Sequence, residues 1–171
     1  KKNKFKFNKK YEDIHLNIEK RLFVIIGHDA GYLHIARSRN DQVITDFKLW
    51  IKKASKEIVN NLNNLIKSFL NKSSGNIDTI MPGFTHLKNA QPISFAHYLL
   101  AYVEMFKRDK KRFTSNIEYI DECPLGVCAL AGTSYKIDRN FTSKKLGFKK
   151  PTNNSIDSVS DRDFALDFLS S

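Results

Sequence analysis

Residues 43–69 read VITDFKLWIKKASKEIVNNLNNLIKSF and carry a long, regular hydrophobic pattern. Apolar residues recur every three or four positions, which is the spacing of one face of an α-helix. They are Val43, Phe47, Trp50, Ala54, Ile58, Leu62, Leu65 and Phe69, and Ile44, Ile51, Val59 and Ile66 broaden the stripe. Such a helix would be about 40 Å long. We expect Asn40 or Asp41 to cap its start and the polar run 71–76 to end it.

Helical patterns also lie on both sides of this stretch. The apolar residues of Ile14–Ile25 share one helical face, with acidic residues before them and Gly27 as a C-cap. A heptad-like pattern covers Ala96–Ile120. Pro92 is expected in the first turn of that helix, and Pro124 lies beyond its end. Two helices of 40 Å or more are therefore predicted.

The fold class that these patterns predict is all-α, a bundle of long helices. Ser160 and Asp163 resemble a capping box that opens a last helix, and only Thr79–Met81 is a candidate for an extended segment. A compact monomer of this size has a radius of gyration of about 15–16 Å, so each long helix would span it. Either a long monomeric bundle or a bundle shared between subunits fits, and the broad apolar stripe favours the second.

Composition and charge narrow the class of protein. The 171 residues are 41% hydrophobic, which fits one globular domain, and no apolar run could serve as a membrane span or a signal peptide. Cys123 and Cys128 have no histidine at metal-ligand spacing, so we expect reduced thiols, a cytoplasmic location and no metal site.

The chain begins without methionine and ends within an apolar periodic run. These ends predict an internal piece of a longer protein.

The net charge of +11 suggests nucleic-acid binding when taken alone. Many lysines, however, fall on predicted solvated helix faces, as Lys52, Lys53 and Lys56 do. No zinc-finger spacing or base-stacking motif accompanies them. We therefore predict neither a nucleic-acid partner nor a membrane partner.

The residues with the clearest chemistry precede the second predicted helix. The segment LHIARSRNDQ, residues 33–42, places two guanidinium groups, a hydroxyl and an amide at the expected helix start. A helix N-terminus offers free N–H groups and a partial positive charge, and arginines bind carboxylates or phosphates in two-pronged fashion. A second polar segment, GFTHLKNAQP, occupies residues 83–92. The first segment predicts an anion site, and the second supplies a threonine and a histidine.

These two segments resemble the signatures of the argininosuccinate lyase and delta-crystallin branch of the fumarase/aspartase superfamily. The RSRNDQ run at 37–42 is particular to that branch, whereas Thr-His-Leu with a nearby Gln-Pro is shared across the superfamily. The resemblance continues through residues 99–105, 124–133, 137–139 and 154–163. It therefore covers the chain from about Tyr11 to its end.

The resemblance implies an all-α homotetramer built around long central helices, with each active site drawn from three subunits. Residues 1–40 would end the N-terminal region, and residues 41–171 would form the first part of the central helix-bundle domain. The implied reaction is the elimination of fumarate from argininosuccinate to give arginine, without a metal or organic cofactor. The family's third signature would lie beyond Ser171, so we expect the chain alone to be inactive.

Specific site residues follow from the same resemblance. Ser38, Arg39, Asn40 and Thr85 match substrate-binding positions, and His86 matches a histidine assigned to proton transfer. Asp13 and His15 match a second acidic and histidine pair that lines the cleft. Two positions depart from the family pattern: Ile35 stands where threonine is usual, and Lys88 where glutamine is usual.

Two other functions remain open alongside arginine biosynthesis. One is another lyase of the superfamily, such as adenylosuccinate lyase or fumarase, although residues 37–42 disfavour it. The other is a non-catalytic structural protein, as in the crystallin branch.

Overall fold

The computed structural model describes residues 5–171 and begins with a capped helix, α1, Ile14–Ile26. The Asp13 carboxylate accepts a hydrogen bond of 2.7 Å from Leu16 N, which satisfies one of the free donors of the first turn. Gly27 ends the helix with φ of 69°, a conformation that residues with a side chain rarely adopt. A 3₁₀ helix, Gly27–His34, follows. The predicted first helix is thereby confirmed.

Helix α2, Arg39–Ser74, has 36 residues and rises about 54 Å. Its N-cap is Ser38, and not Asn40 or Asp41 as predicted. Ser38 has extended backbone angles, its hydroxyl accepts from the helix backbone, and the Asp41 carboxylate accepts from Ser38 N at 3.0 Å. This reciprocal capping box fixes the start of the helix earlier than expected.

The C-terminal end of α2 also differs from the prediction. The run 71–76, expected to be a loop, is helical as far as Ser74. The hydroxyls of Ser73 and Ser74 donate to the carbonyl groups of Phe69 and Asn71 at 2.8 Å. These bonds occupy the polar side chains within the last turns, and the turn at Gly75 comes only afterwards.

The segment between the long helices is an antiparallel β-hairpin, of which the sequence indicated only the first residues. Strand β1, Ile80–Thr85, pairs with β2, Lys88–Ser94. Pro92 was expected in a helix, but it lies in β2 opposite Pro82 of β1. The register shifts between Pro82 and Phe84, which indicates a bulge near two residues that cannot donate to the ladder. The second polar segment therefore lies on this hairpin.

Helix α3, Phe95–Tyr119, begins after Ser94, whose hydroxyl accepts from His97 N at 3.1 Å. It packs antiparallel to α2, since Phe69 near the end of α2 meets Tyr102 near the start of α3. The C-terminal region adds five short elements. They are β3, Glu122–Cys123; α4, Arg139–Lys145; β4, Lys150–Pro151; α5, Ser155–Ser160; and α6, Asp163–Ser170. Strands β3 and β4 pair in parallel.

The predicted capping box at Ser160 is absent. The Ser160 hydroxyl donates to the carbonyl of Ile156 and so belongs to the end of α5. Helix α6 begins at Asp163, whose N–H bonds to the Asp161 carboxylate at 2.9 Å. The side chain that accepts from the first backbone N–H of α6 is thus Asp161, which the spacing of Ser160 and Asp163 did not indicate.

The core lies where α2, α3 and α6 meet. Ile44, Ile51, Ile120 and Phe164 are almost completely buried and form one cluster. Both isoleucines of α2 belong to the residues that broaden the predicted stripe, whereas Trp50 of the stripe itself is 57% exposed. The predicted periodicity is thus confirmed, but the part of the stripe that is buried within one chain is not the part that was predicted.

Two lysines of α2 are also buried, contrary to the solvated face predicted for Lys52. The ammonium groups of Lys48 and Lys52 lie 5.1 Å from the ring centroids of Phe164 and Phe148. Lys48 Nζ lies 3.4 Å from the Asp161 carboxylate, and Lys52 donates to the Gly147 carbonyl at 2.6 Å. Long apolar stems and paired ammonium groups make this burial favourable.

The all-α prediction is confirmed, because 62% of the described residues are helical and the strands among them are few and short. No helix among residues 5–171 combines the length and apolar character needed to cross a membrane. The division into segments 1–40 and 41–171 stays a prediction, and residues 1–4 of the first segment lie outside the described residues.

Candidate active site

Arg39 lies at the centre of a polar cluster between α1 and the start of α2. We call Asp13, Glu19, His34, Arg37 and Arg39 the arginine cluster. Arg39 Nε lies 2.7 Å from the Asp13 carboxylate, and its Nη1 lies 3.5 Å from the Glu19 carboxylate. Nη1 also donates to Gln42, one turn along α2. Arg39 Nη2 has no hydrogen-bond partner within residues 5–171, so this nitrogen can still donate to a carboxylate ligand.

Glu19 was not predicted, yet it holds the other side of this cluster together. Its carboxylate forms an ion pair with Arg37 and lies 3.0 Å from His34 Nδ1. Burial by itself raises the pKa of Glu19, but hydrogen bonds from His34 and Arg37, with their charges, outweigh it and hold the pKa below its ordinary value of 4.5. Glu19 therefore links α1 to the segment that carries both arginines.

Ser38 and Asn40 have definite structural contacts of their own. The Ser38 hydroxyl caps α2 and accepts from Asn40 N at 3.3 Å. The Asn40 side chain donates to the carbonyl of Ala129 at 3.0 Å. The donors predicted to be free at the helix start are thus partly satisfied by Ser38. The anion-binding capacity of this segment rests mainly on the guanidinium of Arg39.

His15, in the first turn of α1, also contacts α2, but its partner there is an acidic residue outside the arginine cluster. Its Nδ1 is 3.3 Å from the Asp46 carboxylate on the second turn of α2, and the His15 side chain is mostly buried. Asp13 and His15 therefore both join α1 to α2, Asp13 through Arg39 and His15 through Asp46.

Thr85 and His86 lie at the tip of the hairpin. Thr85 pairs with Lys88, which leaves His86 and Leu87 as the two central residues of the turn. Both have positive φ, 49° and 62°, as a type I′ turn requires. This conformation costs roughly 1–2 kcal/mol per residue when a side chain is present. Turns of this kind favour Asn-Gly, so His-Leu here is a strained choice that suggests a role for the side chains.

The hairpin tip is exposed and free of side-chain partners within the described chain. Thr85 and His86 are exposed, and Leu87 is 98% exposed. Across residues 5–171, no hydrogen bond or ion pair involves the Thr85 hydroxyl or the His86 ring. Both groups are therefore available to a ligand or to another subunit.

One chain does not bring the two groups of predicted site residues together. Arg39 is the first residue of α2, whereas the hairpin follows the last one. The length of α2, about 54 Å, lies between them. The hairpin instead lies beside the start of α3, where it lines a groove with His97, Tyr98 and Ala101. Ser38, Arg39, Asn40, Asp13 and His15 form one group, and Thr85 and His86 form another.

Asp41 is a second residue whose contacts the sequence did not reveal. The sequence predicts only a helix cap here, but Asp41 is fully buried and its Oδ2 accepts from the backbone N–H groups of Gly126 and Cys128, both at 2.9 Å. The only sequence signal was its position three residues after Ser38, which indicates a capping box. No local pattern points to a partner more than eighty residues away.

Comparison with known proteins places this arrangement in a family. All of residues 1–171 match a protein family described as "Lyase". The chain is 74% identical to the argininosuccinate lyase of Pelagibacter ubique (strain HTCC1062) over 168 residues, which are 98% of this chain. It is 57% identical to the argininosuccinate lyase of Bartonella bacilliformis (strain ATCC 35685 / KC583 / Herrer 020/F12,63) over 166 residues, 97% of this chain.

The fold is also that of a solved lyase. The crystal structure of EDDS lyase in complex with formate superposes with a TM-score of 0.85 at 32% identity, and the match covers 91% of this chain and 31% of that one. The chain spans about a third of the length of the curated relatives it matches, 36% in both cases. With a family match over its whole length and the same fold as a solved lyase, the chain belongs to the lyase family.

Proposed function

We propose that the protein containing this chain is an argininosuccinate lyase, which eliminates fumarate from argininosuccinate and leaves arginine. The observation that carries the proposal is the 74% identity to the Pelagibacter ubique argininosuccinate lyase over 98% of the chain. An aligned length of 168 residues out of 171 includes both the arginine cluster and the hairpin.

The chemistry of this reaction suits the residue types present. A proton leaves the carbon next to a carboxylate, negative charge develops on that carboxylate, and the guanidino nitrogen departs with a proton. The developing charge needs donors that are already in place, and the substrate's carboxylates need cationic partners. We assign substrate binding to Ser38, Arg39, Asn40 and Thr85. We assign proton transfer to His86, because an imidazole ring can both accept and donate a proton.

Asp13 and His15 act one step removed from the substrate in this proposal. Asp13 Oδ2 lies 2.7 Å from Arg39 Nε and so orients the guanidinium. His15 contacts Asp46 and helps hold α1 against α2. A clamp of this kind lowers the cost of orienting a substrate carboxylate, since the arginine need not be fixed when the substrate binds.

A complete site requires more than one copy of the chain in this proposal, because α2 separates Arg39 from His86. We therefore propose a homotetramer in which the arginine cluster of one subunit meets the hairpin tip of another. Exposed apolar side chains on the long helices support it, since Val43, Trp50 and Leu65 remain uncovered within one chain. We also propose a cytoplasmic location, because Cys123 and Cys128 are unpaired thiols.

The decisive experiment follows fumarate release by its ultraviolet absorbance, using the full-length protein. Argininosuccinate should be turned over, and adenylosuccinate should not. The variant His86→Ala should lose about 100-fold or more in turnover and keep its assembly, because the side chain is exposed within its own chain. His28→Ala is the matched control, since His28 is also exposed but lies outside both groups of site residues.

Other outcomes would select the alternatives. Fumarate release from adenylosuccinate but not from argininosuccinate would assign the protein to another lyase of the superfamily. A tetramer that releases no fumarate from argininosuccinate, adenylosuccinate or malate would indicate a crystallin-like structural role. Near-normal turnover by His86→Ala would remove His86 from the proposed proton-transfer step.

A further inference from the structure

Asp41 is a buried carboxylate whose contacts are backbone N–H groups rather than cations. Its Oδ1 accepts from Ser38 N at 3.0 Å, and its Oδ2 accepts from Gly126 N and Cys128 N at 2.9 Å each. None of its side chain reaches solvent. A buried negative charge is costly unless several donors satisfy it, so three well-placed N–H groups at one carboxylate form a specific site.

The loop that supplies two of these donors has an unusual backbone. Gly126 and Cys128 have φ of 95° and 58°, and the second of these is unfavourable for a residue with a side chain. The two N–H groups converge on a single oxygen, as in the concave backbone sites that bind anions. In this protein an internal carboxylate already occupies that concavity.

Asp41 also follows directly after the residues assigned to substrate binding. The same loop returns a bond to them, since the carbonyl of Ala129 accepts from the Asn40 side chain at 3.0 Å. Asp41 therefore holds the loop, and the loop holds Asn40. Beside them, Arg39 is held by a separate set of contacts with Asp13 and Gln42.

We propose that Asp41 is a positioning residue that fixes the loop Leu125–Ala129 and, through Ala129, the amide of Asn40. The catalytic consequence rests on the proposed function, whereas the effect on the loop does not. Because Asp41 fills the loop's anion site, a substrate carboxylate is directed to Nη2 of Arg39 and to Asn40. Asp41 itself does not touch the substrate.

Two variants of the full-length protein test this inference. Asp41→Asn keeps the volume of the side chain but turns one oxygen into an NH₂ group, which faces a backbone donor on either side. Asp41→Ala removes all three acceptor contacts and is the more severe change. Ile51→Ala is the matched control, because Ile51 is 1% exposed on the same helix, about 15 Å along it from Asp41, and belongs to the core cluster. It lowers stability by leaving a cavity without touching the site.

The first readout is amide hydrogen exchange in peptides covering residues 124–133. We expect exchange there to become at least about tenfold faster in Asp41→Asn, because the acceptor of two loop amides is weakened, and unchanged relative to the rest of the chain in Ile51→Ala. The second readout is steady-state kinetics with argininosuccinate. Asp41→Asn should raise KM about tenfold and leave kcat within about threefold, because it loosens substrate binding rather than a proton-transfer step.

Each outcome decides between the possibilities. Unchanged loop exchange in Asp41→Asn overturns the inference, whatever the kinetics show. Faster exchange with a KM and kcat matching Ile51→Ala reduces Asp41 to a purely structural role and also overturns it. If the wild-type protein releases no fumarate, the proposed function fails, and the exchange data alone then decide whether Asp41 fixes the loop. Where Asp41→Ala does not fold, the volume-conserving Asp41→Asn provides both readouts.

Discussion

The carboxylate of Asp13 contacts Leu16 and Arg39 at the same time, with one oxygen bonded to each residue. Oδ1 accepts from Leu16 N at 2.7 Å and begins α1, while Oδ2 lies 2.7 Å from Arg39 Nε. The start of one helix and the orientation of a guanidinium on the next therefore depend on a single side chain. Asparagine at position 13 would keep the cap but remove the ion pair with Arg39.

This dual role predicts different effects for changes at the two residues in the full-length protein. Arg39→Ala should lower kcat/KM for argininosuccinate by about 100-fold or more, because it removes a cation from the proposed carboxylate site. Asp13→Asn should cost on the order of tenfold, because Arg39 remains but is less well oriented. Steady-state kinetics measure both.

The control for these variants is Arg112→Ala. Arg112 forms an exposed pair with Asp109 on α3, and such pairs contribute little to stability. It should leave kcat/KM within about twofold. An Arg39→Ala enzyme as active as this control would remove Arg39 from the site.

The separation of Arg39 from His86 predicts complementation between inactive variants. Full-length Arg39→Ala and His86→Ala subunits, mixed by co-expression, should regain activity, because some interfaces would pair an intact arginine cluster with an intact hairpin. Random assembly gives about a quarter of the sites both intact residues. Fumarate release by the mixture, compared with each variant alone, measures the effect. A mixture no more active than its components would contradict a site shared between subunits.

The lowered pKa of Glu19 predicts a contribution to acid sensitivity. A group whose pKa is lower in the folded state stabilises the fold above its unfolded pKa, here about 4.5, and the contribution is lost as pH falls through the folded value. Glu19→Gln should therefore lower the urea midpoint at neutral pH and make its decline below about pH 5 shallower. Glu57→Gln is the control, since Glu57 is exposed and its ion pair with Lys53 is long, with 3.9 Å between Nζ and Oε1. Parallel acid profiles for wild type and Glu19→Gln would count against the ion-pair assignment.

The two cysteines should differ in reactivity. Burial raises the pKa of the Cys123 thiol, and Cys123 is 1% exposed, whereas Cys128 is only half-buried. Alkylation by iodoacetamide, followed by peptide mass spectrometry, should label Cys128 at least about tenfold faster, because the thiolate is the reactive form. In urea the two rates should converge. Equal rates in the folded protein would show that the segment around Cys123 opens readily.

Short-range features of this fold could be predicted from the sequence. The spacing of apolar residues and the Gly27 cap located α1, and periodicity located both long helices, because these signals lie within a few turns of one another. The chemistry of Arg39 and His86 could be proposed from the motifs around them. The orientation of α2 about its own axis could not be predicted, because Ile44 and Trp50 both fit the apolar pattern and only the partner helices decide which of them is buried.

The features that were missed depend on long-range contacts. Strands β1 and β2 pair with Pro82 opposite Pro92. In the local sequence, either proline indicates the end of a strand or the start of a helix, and not a pair of strands. Asp41 was assigned only a local capping role because Gly126 and Cys128 lie far along the chain. Glu19 could not be predicted locally because its partner His34 ends the following 3₁₀ helix and its partner Arg37 lies in the turn after it.

The uninterrupted α2 helix also constrains which insertions and deletions the chain can tolerate. One added residue within Arg39–Ser74 would rotate everything beyond it by about 100° and advance it by about 1.5 Å. The hairpin would then face a different direction relative to the arginine cluster. Seven added residues would nearly restore the direction but lengthen the helix by about 10 Å. The length of the helix thus sets both the distance and the direction of the hairpin relative to the arginine cluster. Substitutions along α2 should therefore be far better tolerated than any change in its length.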